Sequence, residues 1–261
     1  MTTLANRRAI VCGSTQGIGR ACAEALARAG ASVVLVARHG EALAAVSGGL
    51  SVAAGQQHRS VRADFSDYAG VEAAVGDELA ANGPAHILIN NTGGPPAGPA
   101  FDAEPDAYAA AFAQHLLCNQ VLTRLVAPGM RDAAYGRIIN IISTSVVTPI
   151  RNLGVSNTVR GAVANWGRTL AAELGPFGIT VNNVLPGFTA TARLAALIEG
   201  RARRAGGTVE DVEGQMKRTI PAGRFADPSE LGAVVAFLAS PAASYINGVN
   251  LPVDGGRLAA Q

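Results

Sequence analysis

Residues 13–19 read Gly-Ser-Thr-Gln-Gly-Ile-Gly, between a short apolar run at 9–12 and a helical pattern at 20–29. No other feature constrains the fold as strongly. An apolar strand that passes through glycines into a helix is the opening unit of a parallel α/β sheet. Gly13 permits the tight turn, Gly17 lets backbone come close to a pyrophosphate, and Gly19 lets the helix pack on the strand. The first N–H groups of the helix, at the positive end of its dipole, face the same spot. The turn reads as a phosphate cradle.

The rest of the chain keeps the alternation. Uninterrupted apolar strands are expected at 32–37, 86–90, 137–142, 179–185 and 248–253, with a weaker one near 58–62. Helices are expected near 40–48, 68–81, 105–129, 157–174 and 228–239. The stretch 190–220 is polar and reads as a mobile segment. Strand and helix in alternation predict a Rossmann-type doubly wound parallel sheet with helices on both faces. No repeat or linker divides the 261 residues, so one domain spans 1–261.

Bulk properties exclude several functions. The net charge of +2 is too small to argue for nucleic acid or an anionic membrane surface. No apolar run approaches the roughly 20 residues of a membrane span. Cys12, Cys22 and Cys118 show no metal-ligand spacing and no pairing pattern, which predicts buried thiols, no metal site and a cytoplasmic location. Lys217 is the only lysine. The run Arg201, Arg203 and Arg204 reads as a solvated helix face.

The second strand ends at Ala37, followed by Arg38 and His39. A site for NAD(H) places a carboxylate here for the ribose 2′-hydroxyl. An arginine instead suits a 2′-phosphate by charge and by its planar fork of donors, which predicts NADP(H).

Five stretches in order carry a resemblance over nearly the whole chain: GSTQGIG at 13–19, Asp64 in RADFSD, NNTG at 90–93, PGFTAT at 186–191 and VDGG at 253–256. The sequence resembles the short-chain dehydrogenase/reductase family, and within it the branch of 3-oxoacyl-carrier-protein reductases. The resemblance implies cofactor contacts by Gly13, Ser14, Thr15, Gln16, Gly17, Ile18 and Gly19, and by Arg38, His39, Asp64 and Phe65. It implies further contacts by Asn91, Thr92, Gly93, Arg160, Pro186, Gly187, Thr189 and Thr191. It also implies a homotetramer joined through the long helices at 105–129 and 157–174.

The family reduces carbonyls with a serine, a tyrosine, a lysine and an asparagine. Here the serine is matched by Ser143. The tyrosine position, 13 residues on, holds Ser156, the lysine position holds Arg160, and the asparagine position holds His115. No tyrosine lies between Tyr135 and Tyr245, so no local slip restores it. A serine hydroxyl is a far poorer proton donor than a tyrosine beside a cation. Ser143, His115, Ser156 and Arg160 therefore form the candidate catalytic set, with His115 the one member that titrates in the right range.

Three functions follow. A ketoreductase needs only the cofactor's hydride and a proton from elsewhere. A substrate with a phenol beside its ketone supplies its own, as in quinones and aromatic polyketides. The chain is similar here to ketoreductases of aromatic polyketide, including angucyclinone, antibiotic pathways, which lack the tyrosine. The alternatives are a non-catalytic NADP(H)-binding sensor or scaffold, and a cofactor-assisted dehydration or isomerisation.

Overall fold

Strands that are apolar on both faces must be covered on both, and this requirement sets the architecture. The computed structural model describes residues 4–260. Seven strands are β1 (Arg8–Cys12), β2 (Ser32–Ala37), β3 (Arg59–Arg62), β4 (Ile87–Asn90), β5 (Gly136–Ile141), β6 (Ile179–Pro186) and β7 (Asn250–Val253). They form one sheet in the order β3-β2-β1-β4-β5-β6-β7, and every pairing is parallel. The chain reverses its direction of travel across the sheet between β1 and β4, where such folds bind ligands beyond the strand ends.

Alternate residues of the central strands feed two separate cores. Ala9, Val11, Val33, Leu35, Ile87 and Ile89 pack with helices α1 (Gly17–Arg28), α2 (Gly40–Gly49) and α9 (Pro228–Leu238). Ile10, Cys12, Val34, Val36 and Leu88 pack on the other face with α3 (Tyr68–Asn82) and α5 (Cys118–Asp132). The alternation is the period of two that a strand imposes.

A polar ladder crosses this apolar sheet. Asn90, Asn140, Asn183 and Asn250 sit in register on four adjacent strands. The Asn90 amide donates to Asn140 Oδ1 at 2.8 Å, Asn140 to Asn183 at 2.9 Å, and Asn183 to Asn250 at 2.8 Å. Buried amides of this kind are costly unless paired, so the ladder fixes strand register below the site. Asn140→Ala removes two rungs and strands both neighbours. We expect it to lose about 2–4 kcal/mol in urea unfolding, well beyond the effect of an ordinary buried-to-alanine polar change.

Two expectations need correction. The helix expected as one piece at 105–129 is α4 (Pro105–Phe112), a π-helical turn over Ala113–Leu117, and α5. The π-turn carries His115 inward, and such turns gather at functional sites. The stretch 190–220, for which the sequence pattern predicts no helix, is largely helical. It forms α7 (Ala192–Ala205) and α8 (Val209–Arg218), capped by Thr191 and Thr208. Leu194, Ile198 and Ala202 meet Val212 and Met216 in a small core of their own. The remaining long helix, α6 (Gly154–Leu174), covers β6. Among the described residues no helix is long and apolar enough to cross a membrane.

Candidate active site

The cradle begins where β1 runs out. Gly13 and Gly17 both have positive φ, +58° and +55°. A Cβ on Gly13 would stand 2.5 Å from the Asn91 carbonyl oxygen, and one on Gly19 would stand 2.2 Å from the Gly13 oxygen. Only glycine fits these positions. Asn91, just past β4, donates through Nδ2 to the carbonyls of Cys12 and Gly13 at 3.2 and 3.3 Å and so staples the turn in place. Gln16 at the start of α1 makes no side-chain cap, which leaves the first N–H groups of the helix free for an anion.

A cavity of about 770 Å³ opens above this turn. Gly13, Thr15, Gln16, Gly17 and Ile18 line one part of it, and Arg38, His39, Asp64 and Phe65 another. Asn91, Thr92, Gly93 and Thr191, also expected at the cofactor, line a third part. Asp64 accepts from the backbone and hydroxyl of Ser66, both at 2.9 Å. These bonds hold its carboxyl below its usual pKa and keep it ionised.

A second cavity, about 580 Å³, shares Ile18, Asn91, Thr92 and Thr191 with the first. Ser143, Arg160, Pro186, Gly187 and Thr189 line it, together with an apolar surface that includes Ile150, Leu153, Phe188 and Leu197. Ser143 Oγ accepts the Ser145 N–H at 3.1 Å, which leaves its own O–H free to donate into the cavity. Among the described residues neither cavity is lined by a tyrosine or a lysine.

Four expected residues line neither cavity: Ser14, Gly19, His115 and Ser156. Ser14 and Gly19 are buried under the turn and shape it from behind. Ser156 is buried in the first turns of α6. His115 is 2% exposed, with Nδ1 bonded to Thr92 Oγ1 at 2.5 Å and Nε2 without a partner. Burial, then the charges of Arg160 and Arg193, push its pKa down to about 2. It is neutral near pH 7, without an imidazolium proton to give, and its ring lies under the Thr92 loop.

The shift has a measurable consequence. The unfolded chain binds a proton at His115 below about pH 6.5, while the folded chain does so only near pH 2. Its contribution is intact above the unfolded value and falls as pH drops through that window. The stability lost by His115→Asn at pH 8 is expected to shrink by about 2 kcal/mol at pH 5, read from urea titrations.

Arg160 donates to the carbonyls of Ile141 at 2.9 Å and Thr92 at 3.4 Å, so it ties the end of β5 to the loop after β4. Burial and the nearby Arg193 lower its pKa to about 10, which leaves it charged near neutrality. Arg193 lines both cavities and escaped the sequence reading. It stands in the first turn of α7, where a cation opposes the helix dipole. That mismatch was the one available signal. Its guanidinium reaches the carbonyls of Gly94 and Pro95 at 2.9 and 3.3 Å and ties α7 to the loop after β4.

Comparison with known proteins agrees with this geometry. The family profile described as Enoyl-(Acyl carrier protein) reductase matches residues 13–257. The short-chain reductase protein NovJ of Streptomyces niveus is 34% identical over 251 residues, 95% of this chain and 93% of that protein. The crystal structure of YwfH, an NADPH-dependent reductase involved in bacilysin biosynthesis, superimposes with a TM-score of 0.91 at 29% identity, covering 97% of this chain and 98% of that one. L-sorbose reductase from Gluconobacter frateurii, solved with NADPH and L-sorbose, gives 0.92 at 30% identity and covers 98% of both chains. The chain belongs to the short-chain dehydrogenase/reductase family of nicotinamide-dependent oxidoreductases.

Proposed function

We propose that this protein is an NADPH-dependent ketoreductase for a planar aromatic carbonyl compound of polyketide or quinone type, and that the substrate supplies the proton itself. The observation that carries the reading is the second cavity: largely apolar, joined to the cradle, furnished with Ser143, and lined among the described residues by no tyrosine, lysine, histidine or carboxyl group. Ser156 and Arg160 stand, in this reading, where the family has its tyrosine and lysine. The involvement of YwfH in bacilysin biosynthesis supports a biosynthetic substrate. The family's homotetramer is part of the same reading.

The residues fit NADP(H). The glycine turn and the free N–H groups of α1 suit the pyrophosphate, and Arg38 at the end of β2 suits the 2′-phosphate. Bound there, NADPH supplies a hydride. Ser143 donates a hydrogen bond to the ketone oxygen as negative charge grows on it. Arg160 and Arg193 add positive potential to the second cavity. The phenol next to the ketone passes its proton to the new alkoxide, and water reprotonates the phenolate. A phenol titrates near 10, far below an aliphatic alcohol, so the transfer runs downhill.

The test is NADPH oxidation by the purified protein with hydroxylated quinones and aryl ketones such as 8-hydroxy-1-tetralone. Consumption of cofactor matched by alcohol product supports the reductase. Tight NADPH binding with no turnover across the panel favours a sensor.

A further inference from the structure

We propose that the second cavity takes a substrate bearing an oxyanion, a carboxylate or phosphate, and that Arg204 and Arg257 bind it. This rests on the reductase reading only for naming the cavity as the substrate's. Four arginines line the cavity, Arg160, Arg193, Arg204 and Arg257, and among the described residues no aspartate or glutamate does. Arg160 and Arg193 are engaged with backbone carbonyls. The side chains of Arg204, in the last turn of α7, and Arg257, after β7, make no hydrogen bond or ion pair with any described residue.

Arg257 is the more telling of the two. Its guanidinium carbon lies 4.7 Å from the centroid of the Phe188 ring, which holds the side chain in one place. Its Nε is buried and has no acceptor. A charged guanidinium without an acceptor is a costly arrangement, and an oxyanion against its cavity-facing side would offset that cost. Asp254, three residues earlier, does not serve, because its two carboxylate oxygens accept the N–H groups of Gly256 and Leu258 at 3.0 and 2.8 Å. Arg201, one turn before Arg204, has its pKa lowered by burial and then by the charges of Arg204 and Arg257. Arg203 and Arg204 are exposed, as expected of a solvated face, and Arg204 also lines the cavity. An apolar wall with two free guanidinia matches a planar body with an acid attached, and a neutral polycycle leaves both unused.

The experiment titrates the protein, saturated with NADP⁺, with 4,5-dihydroxyanthraquinone-2-carboxylate and with its methyl ester. The acid is expected to bind at least about tenfold more tightly than the ester. Arg204→Gln and Arg257→Gln should each weaken the acid by about tenfold and change the ester and NADP⁺ by less than about twofold. Equal binding of acid and ester by the unaltered protein overturns the proposal, and that comparison needs no variant to fold. Preference for the acid that survives both substitutions overturns the assignment to these arginines. No turnover is involved, so a chain that reduces nothing can still pass, and an active reductase can still fail.

Discussion

Methylating the phenol of 8-hydroxy-1-tetralone should cut its turnover by about a thousandfold, while Ser156→Ala and His115→Asn each keep it within about threefold of the parent protein. Loss of a positioned general acid costs about 10²–10⁴ in rate, and in this account that acid is the substrate's own. The structure explains why neither side chain replaces it. Ser156 is buried in α6 and lines neither cavity, and His115 is held neutral with its pKa near 2. Ser143 does line the cavity, so Ser143→Ala should slow the reaction through lost polarisation of the ketone, by about a hundredfold at most, for both phenol and ether. A methyl ether reduced as fast as the phenol would place the acid elsewhere.

The second large effect concerns the cradle. Gly13→Ala should weaken NADPH binding by at least about a hundredfold, close to 2.7 kcal/mol, in a fluorescence titration. A side chain there meets two obstacles. The left-handed backbone at φ +58° costs an alanine about 1–2 kcal/mol. Its Cβ would also lie 2.5 Å from the Asn91 carbonyl and 2.9 Å from Asn91 Nδ2, the group that staples the turn. The turn must shift, and the N–H groups of α1 shift with it. Gly161→Ala, in α6 with nothing within 4 Å of the added Cβ, is the control and should leave binding unchanged. Circular dichroism separates lost binding from lost fold.

The sheet was readable from the chain because its strands are dense in β-branched and aliphatic residues. Two-sided burial leaves few polar positions to confuse the pattern, as in the apolar runs at 33–37 and 87–89. The cradle was readable because glycine leaves a spacing that few other folds need. The asparagine ladder was not. Each strand contributes one asparagine, some 40 to 70 residues from the next, and only the register of the folded sheet makes them neighbours. The π-turn at His115 leaves no mark in composition, since it forms where the chain packs against α6. In 190–220 the signal was present but masked. Leu194, Ile198 and Ala202 recur at helical spacing, and the surrounding arginines and Gly200, Gly206 and Gly207 obscured them. Arg204 and Arg257 lie far apart in sequence, so their meeting at one cavity belongs to the fold alone.

The most direct test of the central claim follows the hydrogen. Purified protein is given NADPH carrying deuterium at the transferable C4 position and 8-hydroxy-1-tetralone in ordinary water. The expected product is a secondary alcohol with deuterium on its carbinol carbon and none on oxygen. Unlabelled alcohol, or no alcohol in the presence of bound and intact cofactor, would contradict it.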